Sequence, residues 1–406
     1  VGQNSTGFPV PQKALEEISL IQIYHNKTDT VIMLGLRDWV HQDSFKLDYN
    51  TKYINCKNEV SLIKTFISIF NKLDPLIIYA WNGMGFDFPY LYNRFKKLGF
   101  DKNSLSNYGN VKYSEYEHEG RISFKFESDG HYFIDLMEVY KKFELSPRSS
   151  FALDAISEIE LGERKVQHTE YATFDGFYTG DYIIPQNPTD EQLNSTIYKE
   201  AIKNGITQEV KELAHSEFCY YGYKDPILIK QIDERKNFTN LMLMITEKMG
   251  VKLSDALGTV RPWSQFISNT ANEQMKVLPA QQDHDHPNIV GGYVREPEVG
   301  KHKWCLSADV NSMYPLLGMV GFNMSPETFI PKNELPEDLR NIVLKYFNDQ
   351  DESKRLELSD DILEETKQLL KKYDMSLGIN GAIYTKKEIG MIPEMVKNIY
   401  VTRKEA

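Results

Sequence analysis

The chain has 406 residues, 41% of them hydrophobic, which is enough for two or three domains with ordinary buried cores. No apolar run reaches the roughly 18 residues of a bilayer span, and the opening VGQNSTGFPVPQ lacks the basic and apolar regions of a signal peptide; the first residue is not Met, so Val1 need not be the natural start. A net charge of −11 speaks against nucleic acid only for the surface as a whole. Binding depends on a local groove, and much of the acid sits in one stretch, 349–374, read as a solvated helix. Cys56, Cys219 and Cys305 are scattered and form no CxxC pair, so neither a disulfide framework nor a zinc site is expected; this fits a reducing cytoplasm.

In chain order, residues 18–24 (ISLIQIY) and 30–36 (TVIMLGL) are β-branched apolar runs around the polar turn HNKTD, and predict a hairpin. Val60, Ile63, Phe66, Ile67 and Phe70 recur at helical spacing and predict an amphipathic helix. PLIIYAW (75–81) reads as a buried strand running into the turn NGMGFD and a helix from about Phe88. HYFID (131–135) reads as another strand after a hairpin-like region, with helices near 151–160 and 207–219. This mixture predicts an α/β domain with a mixed sheet. A long amphipathic helix is expected over about 226–249. Segment 281–297, rich in Gly, Pro and His, reads as a linker, after which a second domain opens with the strand KWCLSADV (303–310).

Three strings carry carboxylates where chemistry could use them. In WNGMGFDFPY (81–90) a hydrophobic strand enters a Gly-rich turn, and Asp87 stands at the expected helix N-cap with Pro89 just inside. That position suits a metal ligand and equally a simple cap. In YYGYKDP (220–226) Asp225 precedes Pro226, which suits the first turn of a helix and again permits capping. Tyr221 lies four residues earlier, on the same face of a helical turn, where a phenol beside a metal-binding carboxylate can orient an attacking water. In SADVNSMYP (307–315) a strand ends in Asp309, with Tyr314 and Pro315 close behind. Asp283, His284, Asp285 and His286 have the residue types of metal ligands. They stand in the linker with no Cys or further His to pair with, and are read as a solvated loop.

In their order and spacing the three strings resemble family B DNA polymerases, most closely the tailed-bacteriophage replicative branch. The NxxxFD string matches the second exonuclease motif at Asn82 and Asp87, the YxxxD string matches the third at Tyr221 and Asp225, and the DxxSxYP string matches polymerase motif A at Asp309, Ser312 and Tyr314. FIDLMEVYKKF (133–143), GGYVREP (291–297) and NGAIYTKKEIGMIPEMVKNIYVTRK (380–404) agree as well, so the resemblance covers essentially the whole chain.

The resemblance implies an RNase H-like 3′–5′ exonuclease domain of α/β class over residues 1–237. It implies a connecting segment of the polymerase N-terminal domain over 238–290, a partial α+β palm over 291–397 and the start of the fingers at 398–406. The implied activity is DNA-directed DNA synthesis with proofreading, in viral replication, by two-metal nucleotidyl transfer. Four carboxylates hold two divalent metals in the family's exonuclease site. Asp87 and Asp225 would be two of the four, Tyr221 would orient the water, and Asn82 would contact DNA. In the palm Asp309 would bind two Mg²⁺ with help from the Val310 carbonyl, as hard oxygen ligands suit that ion. Ser312, Tyr314 and Arg403 would complete the nucleotide site: Tyr314 beneath the sugar, excluding a 2′-hydroxyl, and Arg403 on the triphosphate. The implied partners are primer–template DNA and a deoxynucleoside triphosphate, with a sliding clamp and a second, completing chain left open. The expected location is the host cytoplasm, without a membrane.

The family's first exonuclease motif, D-x-E, would precede Val1, and Glu16 and Glu17 do not replace it. The rest of the fingers, the second palm carboxylate and the thumb would follow Ala406. On this reading the chain is a fragment, expected to be inactive alone and to lack the first central strand of its RNase H-like sheet. The alternatives are a stand-alone 3′–5′ exonuclease, which leaves motif A unexplained, and a non-catalytic DNA-binding remnant of a polymerase.

Overall fold

The computed structural model describes residues 8–42, 45–118, 121–278, 294–310, 312–347, 359–378 and 380–405; the Asp283–His286 cluster lies outside them. The chain divides into two compact units between Pro262 and Trp263. Among the described residues no helix is long and apolar enough to cross a membrane.

In the first unit the expected hairpin forms. Strands β1 (Leu20–His25) and β2 (Thr30–Gly35) pair antiparallel, with Leu20 opposite Gly35, and β3 (Asn50–Asn55) joins β2 in parallel. The amphipathic pattern yields α1 (Glu59–Leu73), capped by Asn58, whose side chain accepts the Ser61 N–H at 2.9 Å. Its buried face presents Leu62, Ile63, Phe66 and Phe70, each stabilising the fold by about 2 kcal/mol. The apolar run 75–81 yields β4 (Ile77–Ala80), and the chain then turns into α2 (Asp87–Lys97). Buried Arg94 in α2 donates from Nε to Glu59 of α1 at 2.7 Å and from Nη1 to the carbonyls of Ala14 and Leu15 at 2.9 Å. That pair fixes α2 against α1 and against the segment leading into β1.

A long hairpin, β5 (Val111–His118) with β6 (Arg121–Ser128), leads to β7 (Tyr132–Asp135), which pairs with β4 in parallel and sets Ala80 opposite Asp135. Both strands therefore deliver their C-terminal ends to the same edge of this sheet. Helices α3 (Leu136–Phe143), α4 (Leu153–Leu161), α5 (Phe174–Thr179), α6 (Asp190–Asn194) and α7 (Thr196–Asn204) follow, and the unit is α/β as expected.

The next helix corrects the sequence reading. In place of one helix ending near 219 and another opening at Pro226, a single helix, α8 (Gln208–Lys236), runs through both strings for 29 residues. Pro226 lies inside it and deprives the Gly222 carbonyl of its bond four residues on. Burial of Phe218, Cys219, Tyr223, Ile227 and Leu228 on either side of the proline holds the helix together. Gly222 is where α8 meets β1: an added methyl would lie 2.7 Å from Leu20 Cδ2. The same helix packs on β4, so it bridges the two sheets. Asn237, at φ 57°, ends α8, and α9 (Phe238–Met249) begins there, so the helix expected over 226–249 is two helices.

The second unit holds most of α10 (Val260–Glu273). The expected strand 303–310 is absent: the segment is irregular and exposed, with Trp304 and Leu306 in solvent. It pairs with no strand among the described residues, and an extended segment without a neighbour has no partners for its backbone groups. A π-helix, Met313–Gly321, follows, then β8 (Phe329–Ile330) and α11 (Glu337–Tyr346). The described part of the acidic stretch forms α12 (Asp360–Tyr373), which is largely exposed as expected. Strands β9 (Met375–Leu377) and β10 (Ile383–Thr385) complete a small antiparallel sheet in the order β8-β10-β9 over a core of Leu335, Leu339, Val343 and Ile383. The last helix, α13 (Met391–Glu405), is anchored by Glu327, which accepts the Met391 N–H at 2.6 Å, and by buried Asn323, which accepts the Gly390 N–H at 2.8 Å.

Candidate active site

The parallel pairing of β4 with β7 builds one side of the site. Asp135 ends β7, is buried, and caps α3 through the Met137 N–H at 3.1 Å. Its two oxygens also accept the N–H groups of Asn82 and Met84, at 3.0 Å each, from the turn that leaves β4. Asn82 is left-handed in that turn, at φ 61°. Gly83 passes so close that a methyl there would lie 2.6 Å from Ala80 Cβ and 2.8 Å from the Phe88 ring. The turn therefore has one shape, and it places Asp87 as the first residue of α2. The N-cap is Phe86, with no side-chain bond, so Asp87 does not cap the helix and its carboxylate is left for other chemistry. Asp87 reaches solvent, yet the protein mass around it desolvates it, and the charges of Asp135 and Asp225 add to this. Against the pull of its own backbone N–H, the carboxyl is pushed up to about 7.

Helix α8 builds the other side. Tyr221 and Asp225 lie one turn apart on it, as their spacing predicted, and Asp225 caps nothing because it is mid-helix. Asp225 Oδ1 is shut from solvent and, among the described residues, meets no donor at hydrogen-bonding angles; what it has is the Lys165 ammonium, 2.8 Å away. Lys165 Nζ also lies 3.2 Å from the Tyr221 hydroxyl and 5.0 Å from the centre of its ring. Burial raises the Asp225 carboxyl and the ammonium opposes it. Burial alone would lower Lys165, but Asp225 and then Tyr221 hold it above its ordinary value, so it stays charged. The Tyr221 phenol is raised by burial and then by Asp225, so it stays protonated at neutral pH.

A cleft of about 590 Å³ opens beside this group, lined among others by Gln22, Phe86, His168, Phe174, Tyr221 and Asp225. Its wall is aromatic: His168 and Phe174 both meet the Tyr221 ring edge-on, with centroids 5.8 and 5.9 Å away.

The expected residues of the second unit are not gathered in the same way. Asp309 and Val310 are exposed in the irregular segment, Ser312 is left-handed at φ 53°, and Tyr314 is 77% exposed on the π-helix, so it is no core aromatic. Arg403 is exposed near the end of α13, which packs against that π-helix.

Among the described residues no group of three or more His, Cys, Asp or Glu side chains is arranged to hold a metal ion. Asp87, which feels the charge of Asp225, and the underpaired Asp225 oxygen fit a share in one divalent cation. Two contributors escaped the sequence reading. Asp135 stood in view at the end of HYFID, but its bonds to the 82–84 turn depend on a parallel pairing that no local pattern encodes. Lys165 lies in an irregular stretch with no motif to mark it.

Residues 3–156 match the model of the DNA polymerase family B exonuclease domain. The chain is similar to the DNA-directed DNA polymerase of Escherichia phage RB69, 23% identical over 423 residues, with 98% of this chain and 40% of that protein covered. The DNA-directed DNA polymerase of Enterobacteria phage T4 is also 23% identical, over 420 residues, with the same coverage. DNA polymerase 1 of Pyrococcus abyssi is 23% identical over 286 residues, with 68% of this chain and 32% of that protein covered. The chain thus spans about 40% of the length of the phage polymerases it matches. The order of its elements is consistent with an RNase H-like α/β exonuclease fold in the first unit, and the chain is similar to family B DNA polymerases, whose exonuclease domain residues 3–156 match.

Proposed function

We propose that the first unit carries a 3′–5′ proofreading exonuclease and the second the opening of a polymerase palm, within a DNA-directed DNA polymerase of viral replication. The domain limits follow the sequence: exonuclease over 1–237, a connecting segment over 238–290, partial palm over 291–397, fingers from 398. The observation that carries the reading is that Asp87, at the start of α2, feels the charge of Asp225 on α8, with Tyr221 and Lys165 at the Asp225 carboxylate.

Asp87 and Asp225 would hold a divalent cation, Mg²⁺ by preference for oxygen ligands. Such a cation supplies Lewis acidity toward a phosphodiester oxygen. Tyr221, neutral and hydrogen-bonded to Lys165, is placed to orient a water molecule. Lys165 offsets the negative charge of the carboxylate and of a phosphate brought against it. The aromatic cleft suits an unstacked base at a single-stranded 3′ end, and Asn82, exposed at the turn before α2, would touch the strand. The test is release of nucleotides from 3′-labelled single-stranded DNA by the natural full-length protein. Asp87→Ala and Asp225→Ala should each cut the rate by about a hundredfold or more, with DNA still bound. Degradation at the wild-type rate would remove the assignment.

In the palm, Asp309 and the Val310 carbonyl would hold Mg²⁺, and Ser312, Tyr314 and Arg403 would bind the deoxynucleoside triphosphate against primer–template DNA. The exposure of Tyr314 and the packing of its π-helix against α13 support this. A 2′-hydroxyl meeting the Tyr314 ring would be rejected by close packing. In the full-length protein Tyr314→Ala should relax discrimination between deoxy- and ribonucleotides, and Asp309→Ala should abolish incorporation of both.

A further inference from the structure

Asp154 lies in the first turn of α4 but does not cap it; the N-cap is Ala152, without a side-chain bond. Its Oδ1 instead accepts the backbone N–H of Lys165 at 2.8 Å, across 11 residues. Between the two the chain leaves α4 at Gly162, left-handed at φ 73°, and enters a stretch with no regular secondary structure. Nothing in such a stretch fixes its own register, and a lysine side chain adds its own rotamer freedom. Yet Lys165 Nζ is held 2.8 Å from Asp225 and 3.2 Å from the Tyr221 hydroxyl. The neighbouring ties, Arg164 to Glu158 at 2.6 Å, Lys224 to Glu163 at 3.6 Å and the Gln167 amide to the Lys165 carbonyl at 3.4 Å, are long or have at least one exposed side chain, and such ties restrain little. The Lys165 N–H donates to the Asp154 carboxylate, a charge-assisted bond on the backbone of Lys165 itself, which makes it the strongest tie on that backbone among the described residues.

We propose that Asp154 is a positioning residue of the exonuclease site: by holding the Lys165 amide it presents the ammonium to Asp225 and Tyr221. Its catalytic meaning rests on the exonuclease reading; the tether does not. Asn keeps a carbonyl acceptor in the place of Oδ1, Ala removes it, and Leu keeps bulk without an acceptor.

The experiment compares wild-type chain with Asp154→Asn and Asp154→Ala, each shown to be folded by circular dichroism, with Asp154→Leu taking the place of an Ala variant that fails to fold. Acetylation of Lys165 by N-hydroxysuccinimidyl acetate is followed by peptide mass spectrometry, with exposed Lys96 as the internal standard. Lys165 should react slowly in wild type and in Asp154→Asn, and about tenfold faster without the acceptor, because the paired state then opens more often. In the full-length protein the acceptor-less variant should lose kcat on single-stranded DNA at unchanged KM, and Asp154→Asn should keep it. Wild-type labelling of Lys165 in the folded acceptor-less chain, or an Asn variant that labels like the Ala variant, overturns the proposal. A full-length wild type that degrades no DNA, with the labelling pattern intact, sinks the exonuclease reading and leaves the tether standing.

Discussion

Lys165 sets its ammonium 2.8 Å from Asp225 Oδ1, an oxygen with no well-aligned hydrogen-bond donor among the described residues, and so occupies the ground a divalent cation would approach. The positive charge competes with any cation drawn to that carboxylate. The pair is largely buried, its side chains 19% and 22% exposed, and about 1 kcal/mol of competition from it converts to several-fold in affinity. Lys165→Met should therefore raise the affinity of the chain for Mn²⁺ about three- to tenfold, read by titration calorimetry. Unchanged or weaker binding would show that the lysine does not compete for Asp225.

Asp87 makes stability depend on pH. Its folded value, about 7, is raised above the ordinary 3.8, so the folded state holds the proton more tightly than the unfolded chain. The stabilisation is fully present below pH 3.8 and is lost as the pH rises to about 7. Asp87→Asn cannot ionise. It should melt above the wild type at pH 7.5 and match it near pH 4, in melting curves followed by circular dichroism. Parallel curves at all pH values would mean that Asp87 titrates as an ordinary surface carboxylate.

Asp135 should matter to the fold first and to the site through it. Its carboxylate satisfies three backbone N–H groups, those of Asn82, Met84 and Met137, from a buried position. Leaving part-buried donors unpaired and removing the α3 cap should together cost about 2–4 kcal/mol, seen as a lower urea midpoint for Asp135→Ala. Asp135→Asn keeps the Oδ1 bonds to Asn82 and Met137 and turns an NH₂ against the Met84 N–H, so it should fall between the two. A loss of under about 0.5 kcal/mol for Asp135→Ala would show that the 82–87 turn holds its shape without it.

The chain by itself should release no nucleotide from single-stranded DNA and extend no primer in Mg²⁺. Among the described residues no three acidic, His or Cys side chains gather at either site, and a hard cation binds weakly as its ligands fall in number. Turnover in a gel assay that disappears in Asp225→Ala would contradict this directly.

Local pattern made a good part of the fold legible. The hairpin at 18–36, helix α1 and strands β4 and β7 stand where alternation and helical spacing placed them. Pattern failed where distant packing decides. Pro226 marked a helix start by propensity, but burial on both sides carries α8 through it. KWCLSADV has a strand's composition and no neighbour among the described residues to pair with. At the site the motifs marked Asp87, Tyr221 and Asp225. Asp135, Asp154 and Lys165 act through contacts 11 to 60 residues apart that no short string records, from Lys165 on Asp154 at the near end to Lys165 on Asp225 at the far end.

The central claim is that Asp87 and Asp225 share one divalent cation, and Mn²⁺ titration of this chain followed by electron paramagnetic resonance tests it most directly. At pH 7.5 the wild type should take up Mn²⁺ weakly at one site, and Asp87→Asn and Asp225→Asn should each abolish that uptake while remaining folded. Wild-type uptake in both variants would contradict the account.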